Sequence, residues 1–155
     1  MSTFILRRAT LDDLDELVAL RLKLFRESGY LLSEEPPPEL IEATRTYLSE
    51  NLPTERFLAW IAVVERHLIG MSGLIFFQKP PTEENLSGLE AYIMNMYTLP
   101  EWRSQGIATA ILQETIKYVQ NTSARRIWLH TTKDGQGVYE RCGFVFTHDD
   151  MELVW

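Results

Sequence analysis

The sequence predicts an α+β domain (α/β in some schemes), with helices flanking a mixed, mostly antiparallel central sheet. Three observations support this class. Apolar residues recur at helical spacing in four stretches, seven shorter apolar runs have strand character, and two of those runs are joined as a hairpin. A helix between two of the runs also predicts a crossover and a parallel strand pair. We therefore expect six to seven strands and about four helices.

Length and composition predict one domain over residues 1–155. Apolar residues make up 45% of the chain and charged residues 24%, which is the balance of a soluble globular protein. No apolar run approaches the ~20 residues that cross a bilayer, and the N-terminus does not have the order of a secretory signal. The single cysteine, Cys142, cannot form an internal disulfide. We expect a cytoplasmic protein with no membrane partner.

The net charge of −7 argues against a nucleic-acid partner, because such proteins need basic surface to displace counterions from phosphates. An acidic surface favours a cationic substrate such as an amine. Many cytosolic proteins, however, are acidic only because charge keeps them soluble, and this is the more common explanation of an acidic surface.

The N-terminal third is predicted to contain one strand and two helices. Residues 4–8 form the strand. Thr10 and Asp13 together cap the first helix as an acidic variant of the capping box. That helix should end at Gly29, a residue suited to a helix C-terminus. The second helix should span residues 38–51, with a proline in its first turn, where a missing N–H costs nothing.

The rest of the chain is predicted to supply most of the sheet. Gly70 and Gly73, inside one strand, suggest a bend or a close approach of another backbone. The expected strands are residues 57–65, 68–78, 88–99, 125–131, 144–147 and 151–155, and the expected helices are residues 106–120 and 134–142.

The segment between residues 97 and 109 carries the chemistry. A strand ends there, a tight loop turns and a helix begins, which leaves backbone N–H groups unpaired at the positive end of the helix dipole. Gly106 allows close approach of a phosphate and Arg103 adds a positive charge. The alternative, a glycine that only serves the turn beside a solvated arginine, is disfavoured by this placement. Neither a dinucleotide fingerprint nor a nucleoside triphosphate loop is present.

Residues 97–112 resemble the acetyl-CoA-binding motif of the GNAT superfamily of N-acetyltransferases, whose pattern Q/R-x-x-G-x-G/A is matched by Arg103, Gly106 and Ala108. Residues 138–144 resemble a second block of that family, L-Y-E-K-L-G-F, and the order of elements agrees over nearly the whole chain. The resemblance implies a GNAT-like sheet with a splayed parallel strand pair. It also implies transfer of an acetyl group from acetyl-CoA to a primary amine of a small molecule or peptide, by direct attack in a ternary complex.

The resemblance further implies which residues bind acetyl-CoA, the co-substrate. Loop amides would hold the pyrophosphate, and backbone groups of the preceding strand would hold the pantetheine arm and polarise the acetyl carbonyl. No metal is expected. The implied binding residues are Met96, Tyr97, Thr98, Arg103, Ser104, Gln105, Gly106, Ile107, Ala108 and Thr109.

Three residues are candidates for the proton transfers. Tyr139 lies where the family commonly has a tyrosine general acid, although a core tyrosine is the alternative. His130, at the end of a strand that faces the cofactor in this family, is a candidate base, acting directly or through water; a polar contact or a surface position is an equal alternative. Glu90 is the second candidate base, and for it a solvated carboxylate is favoured. Asn95 interrupts an apolar run and needs a hydrogen-bond partner, either substrate, water or the backbone of a bulge.

Several alternatives stay open. A non-catalytic module that binds or senses CoA on the same fold, and an acyltransferase that uses a longer acyl-CoA, are the rival functions. Position 132 is a threonine where many family members have asparagine, so an asparagine contact to the cofactor is in doubt. The sequence does not identify the acceptor. Six side chains could attract and enclose a cation, although a solvated loop is the favoured interpretation: Tyr30, Glu34, Glu35, Glu83, Glu84 and Tyr92. The resemblance also allows a homodimer, since family members often pair.

Overall fold

The fold is built on one mixed sheet, in a computed structural model that describes residues 3–147 and 149–155. Within those residues the sheet has five strands in chain order: β1 (Ile5–Arg8), β2 (Leu58–Val64), β3 (His67–Gln78), β4 (Leu89–Thr98) and β5 (Arg126–Leu129). The helices are α1 (Leu14–Ser28), α2 (Pro38–Asn51), α3 (Ile107–Gln120) and α4 (Gln136–Arg141).

The pairing of the strands agrees with the predicted mixed sheet. β1 to β4 pair antiparallel, and β4 pairs with β5 in parallel because α3 carries the chain back across the sheet. Side chains on one sheet face pack against α1 and α2, and those on the other face pack against α3 and α4. In the part of the chain that the structure describes, no helix has both the length and the apolar character to span a membrane.

The predicted capping signals position α1. The Thr10 hydroxyl and the Asp13 carboxylate form the expected reciprocal box around a short 3₁₀ turn that leads into α1. Asp13 also accepts two hydrogen bonds of 2.8 Å from Arg7, which joins this turn to β1. Gly29 ends α1 with φ of 74°, a left-handed conformation that glycine adopts without strain. Both predicted ends of the first helical segment are therefore confirmed.

Two glycines in β3 leave room mainly for neighbouring side chains, whereas the sequence predicted a bend or a close approach of another backbone. A Cβ at Gly73 would lie 2.6 Å from the Phe57 ring, and a Cβ at Gly70 would lie 3.0 Å from the side chain of Ile107. The hairpin between β2 and β3 turns at Glu65 and Arg66, which both have positive φ. The sequence predicted this turn one residue later.

The C-terminal residues do not form the two strands expected at residues 144–147 and 151–155. The prediction of six to seven strands is corrected to five for the described residues. An alternating apolar segment becomes a strand only where a neighbouring strand supplies hydrogen bonds and packing, so the pattern alone did not determine the outcome. The apolar side chains that suggested these strands are exposed: Val145, Phe146, Met151, Leu153, Val154 and Trp155.

Candidate functional site

The turn between β4 and α3 presents backbone N–H groups to solvent. The first hydrogen bond of α3 runs from Ala110 N–H to Gly106 O (2.9 Å), so the N–H groups of residues 106–109 have no acceptor within the helix. Ser104 and Gly106 have φ of 61° and 80°, and residues 103–106 are all exposed. A Cβ added to Gly106 would meet no heavy atom within 4 Å. The turn is therefore an open concavity of donors at the positive end of α3, suited to an oxyanion such as phosphate.

A gap opens beside this turn where β4 and β5 separate. Their pairing ends at Ile93 and Leu129, and β4 continues for five more residues without β5 beside it. Leu99 N–H donates to a carbonyl of β3 (2.9 Å), and strand alternation then directs the N–H groups of Met96 and Thr98 away from β3, into the gap. The Thr98 hydroxyl is buried and has no hydrogen-bond partner within the described residues. The gap thus offers donors that the sheet leaves free.

Arg103, expected beside the pyrophosphate, is held by protein groups. Its Nη2 pairs with Glu27 Oε2 (2.5 Å) and its Nε donates to Thr98 O (3.0 Å). The Tyr97 hydroxyl donates to the other oxygen of Glu27 (2.7 Å), and partial burial, followed by this hydrogen bond, raises the pKa of Tyr97 to about 12. Partial burial would raise the pKa of Glu27, but the hydrogen bonds from Tyr97 and Arg103 outweigh that effect, and the pKa is lowered. Arg103 therefore ties the end of β4 to α1, with its charge largely matched by Glu27.

Tyr139, the candidate acid, lies in α4 with 8% of its surface exposed. Burial, together with electrostatic interaction with Tyr92, raises its pKa to about 12, so the phenol keeps its proton at neutral pH. The ring packs edge-on against Phe144. Within the described chain the Tyr139 hydroxyl forms no hydrogen bond. The side chain is thus fixed by packing, and its protonated hydroxyl has no hydrogen-bond partner within the described residues.

His130, the first candidate base, directly follows β5 and is exposed. Its Nδ1 lies 2.9 Å from the Tyr92 hydroxyl. Burial raises the pKa of Tyr92, which keeps that hydroxyl protonated at neutral pH. Phe77 and Trp128 complete an aromatic group around the pair, with Tyr92 and Trp128 ring centroids 4.5 Å apart. The structure therefore joins His130 to Tyr92 within this aromatic group.

Glu90, the second candidate base, is not brought to this group. Its carboxylate is 12% exposed and accepts from Lys79 Nζ (3.0 Å) and from Arg126 Nη1 (3.3 Å). It lies near the start of β4, in the part that is still paired with β5, and thus away from the gap. Two cations hold Glu90 in an ion-pair network that joins β4, β5 and the loop between β3 and β4.

Arg21 is a site residue that the sequence pattern did not indicate. In the sequence it is only a charged residue between the apolar positions of α1. In the structure its Nη1 donates to Oδ1 of Asn95. Asn95 has φ of 54° at a bulge, where two residues of β4 oppose one of β3, and it lies at the edge of the gap. Asn95 therefore has the partner it needed, from a helix 74 positions away in the sequence.

Thr132 and Cys142, before and after α4, both have structural roles. The Thr132 hydroxyl and carbonyl both accept from Gly135 N–H at 3.3 and 3.2 Å, so this threonine shapes the entry to α4. Cys142 is half-buried and packs against the core on the α3 face. The described residues contain no group of three or more His, Cys, Asp or Glu side chains that could hold a metal ion.

The family model that matches the sequence describes the acetyltransferase (GNAT) family and covers residues 19–144. This match includes the turn before α3, the gap and α4. None of the curated proteins compared with the chain matches it significantly.

Solved structures share the fold over nearly the whole chain. A predicted acetyltransferase with acetyl-CoA from Clostridium acetobutylicum is 30% identical, with 98% of this chain and 96% of that chain covered at a TM-score of 0.88. A GCN5-related N-acetyltransferase from Ralstonia eutropha JMP134 is 24% identical, with 98% of this chain and 99% of that chain covered at a TM-score of 0.84. The glucosamine-6-phosphate N-acetyltransferase of Arabidopsis thaliana is 11% identical, with 99% of each chain covered at 0.74, and is similar in fold alone.

Proposed function

Since the chain belongs to the GNAT family of acetyltransferases, we propose that it transfers the acetyl group of acetyl-CoA to a primary amine of a small molecule or peptide. The amine attacks directly in a ternary complex. Acetyl-CoA is the co-substrate that the family uses. The observation that carries the proposal is the turn before α3, where the N–H groups of residues 106–109 have no acceptor within the helix and lie next to the gap between β4 and β5.

Backbone groups along the turn and the gap would bind acetyl-CoA. The amides of residues 105–109 suit its pyrophosphate, and those of Met96 and Thr98 suit the amide carbonyls of its pantetheine arm. Gly106 supports this binding because no Cβ fills the concavity. Arg103, which is paired with Glu27, adds a positive charge beside the turn. The full proposed set is Met96, Tyr97, Thr98, Arg103, Ser104, Gln105, Gly106, Ile107, Ala108 and Thr109.

The acceptor must lose a proton before it attacks, because an alkyl amine with a pKa near ~10 is mostly protonated at neutral pH. In this proposal His130 accepts that proton. When its Nδ1–H donates to the Tyr92 hydroxyl, the Nε2 lone pair is free to act directly or through a water molecule. The amine nitrogen then forms a bond to the acetyl carbon, and N–H groups of the gap stabilise the carbonyl oxygen as it gains negative charge.

Tyr139 completes the reaction at the sulfur. As the carbon–sulfur bond breaks, the Tyr139 hydroxyl donates a hydrogen bond and then its proton to the departing thiolate. Its fixed ring and unengaged hydroxyl support this role. Glu90, the other candidate base, is better explained as a structural residue, because Lys79 and Arg126 already bind its carboxylate.

A direct test combines binding and turnover. Calorimetry with acetyl-CoA measures co-substrate binding, and a thiol-release assay over an amine panel measures transfer. We expect binding together with amine-dependent release of CoA thiol. Binding without release for any amine would favour the non-catalytic CoA-sensing alternative, and faster release from succinyl-CoA would favour the longer-chain alternative. Absence of acetyl-CoA binding would contradict the proposal itself.

Two further expectations are kept as proposals. A cytoplasmic location is supported by the single cysteine, Cys142, which suits a reducing compartment.

A homodimer is supported by the exposed apolar side chains of residues 151–155 and by the outer edge of β5, which is unpaired in the described chain. Light scattering of the full chain and of its Trp155→Asp and Val154→Asp variants would test pairing, and a monomer at every concentration of the parent would contradict it.

A further inference from the structure

Arg21 differs from every other basic side chain because it is partly withdrawn from solvent and also has no counter-charge. Of the lysines and arginines, all of which lie in the described residues, it alone is neither exposed nor paired with a carboxylate. A charge taken from water without a charged partner is costly, and natural proteins rarely keep one without a role.

The protein satisfies only part of the Arg21 guanidinium. Of its five N–H donors, one is bonded to Asn95 Oδ1, and the guanidinium carbon Cζ lies over the Phe25 ring, 4.4 Å from its centroid. These contacts fix the orientation of the guanidinium but supply no negative charge. Burial lowers its pKa, and the nearby Tyr47 only partly opposes this shift.

The position of Arg21 relates it to the acceptor rather than to acetyl-CoA. Asn95, which orients it, lies two residues beyond Ile93, where β4 and β5 separate. Asn95 has a left-handed φ of 54°, a conformation that asparagine adopts more readily than other residues with a side chain. Arg21 therefore lies on the α1 side of the sheet, at the edge of the gap in which the acetyl group would be presented, whereas the turn that suits the pyrophosphate is at the start of α3. Tyr30, 5.7 Å from Phe25, extends the same surface.

We propose that Arg21 binds an anionic group on the acceptor, so that the preferred substrate is an amine that also carries a carboxylate or a phosphate. This inference rests on the proposed acetyl transfer and specifies its substrate class. A guanidinium that packs on Phe25 and is bonded through one nitrogen to Asn95 keeps its remaining N–H groups for such an oxyanion, and its fork of donors matches a carboxylate or a phosphate. The acidic loop residues Glu34, Glu35, Glu83 and Glu84 are exposed and do not supply the missing charge.

The test uses acceptor pairs that differ in the anion. L-alanine is compared with L-alaninamide for the carboxylate, and O-phosphoethanolamine with ethanolamine for the phosphate. For each pair we measure the ratio of kcat/KM between the anionic and the neutral amine, in the parent and in Arg21→Met. Because the ratio is compared between proteins, differences in amine basicity within a pair cancel. Arg21→Lys retains the charge without the fork, and Lys23→Met removes an exposed charge from the same helix.

We expect Arg21→Met to lower the ratio by about 10- to 100-fold for one pair, since hydrogen bonds to charged groups contribute at this level. That pair identifies the anion. Arg21→Lys should be intermediate, and Lys23→Met should match the parent. An unchanged ratio in Arg21→Met for both pairs, or an equal fall in Lys23→Met, would overturn the inference.

A binding measurement covers the case in which none of the four amines is acetylated. With CoA present, the anionic member of one pair should raise the melting temperature of the parent but not of Arg21→Met, and no such difference would also overturn the inference. If the parent protein did not bind acetyl-CoA, the result would instead count against the proposed transferase. Failure of the proposed function and failure of this inference are therefore distinguishable.

Discussion

The Tyr97 hydroxyl donates a hydrogen bond of 2.7 Å to Glu27, and so joins the end of β4 to α1 across 70 positions of sequence. The second oxygen of the same carboxylate binds Arg103. One acidic side chain on α1 therefore fixes both the strand that borders the gap and the arginine that begins the turn. Its negative charge also lies near the site proposed for the pyrophosphate.

Replacing Glu27 with glutamine is expected to strengthen acetyl-CoA binding. The variant keeps the shape of the side chain but removes a negative charge and releases the Arg103 guanidinium toward the turn. We expect an affinity gain of about two- to tenfold at low salt, shrinking as ionic strength rises. Calorimetry at two salt concentrations measures it, with Glu39→Gln on α2 as a control for net charge. Weaker binding by the variant would show instead that Arg103 contributes only in its paired geometry.

Replacing Gly106 with glutamate is expected to weaken acetyl-CoA binding by at least about 100-fold. The new side chain would enter the open concavity with a negative charge, and φ of 80° is strained for any residue with a Cβ. Gly143→Glu is the matched control, because Gly143 also has positive φ, at 92°, with open space beside it. Equal affinity of Gly106→Glu and the parent would exclude the turn as the pyrophosphate site.

The sequence predicted those parts of the fold that depend on local signals. The bounds of α2 were predicted to the residue, because a proline suits the first turn of a helix and another proline follows soon after. The capping box at Thr10 and the helix end at Gly29 are likewise set by residues close in sequence. The open turn at Gly106 is also local, since one glycine and a helix N-terminus create it.

The parts that were not predicted depend on distant partners. Nothing near Arg21 in the sequence indicates Asn95, and nothing near Glu90 indicates that Lys79 and Arg126 both bind it. The C-terminal segment carried the alternating pattern of strands, yet strand formation requires a neighbour that the pattern does not supply. Local propensity therefore identified the elements, whereas pairing between elements decided the chemistry available at the site.

Removing the Tyr139 hydroxyl is expected to slow turnover without weakening acetyl-CoA binding. Tyr139→Phe keeps the ring contact with Phe144 and removes the proposed proton donor. We expect kcat to fall by about 100-fold or more, with the dissociation constant for acetyl-CoA unchanged. Tyr118→Phe, in a tyrosine of α3 that packs against Trp60, is the control and should retain full activity. Unchanged kcat in Tyr139→Phe would show that another group protonates the thiolate.

The Arg7–Asp13 pair predicts a specific contribution to acid sensitivity. Two hydrogen bonds from Arg7 and one from Thr10 N–H lower the pKa of Asp13 below its usual value near ~4. Burial of the carboxylate acts in the opposite direction but does not outweigh these bonds. Because the folded pKa is the lower one, the stabilisation is complete above pH ~4 and is lost as pH falls through the folded pKa.

Asp13→Asn should therefore reduce the free energy of unfolding by about 1–2 kcal/mol at pH 7, a value reduced for the partial exposure of Arg7. The difference from the parent should shrink as the pH falls below ~4 and through the folded pKa of Asp13, because the parent carboxyl then becomes protonated and loses its charge. Urea unfolding across this pH range measures it, and Asp12→Asn, at the exposed neighbouring carboxylate, is the control. A difference that stayed constant with pH would mean that Asp13 stabilises the fold by its shape and not by its charge.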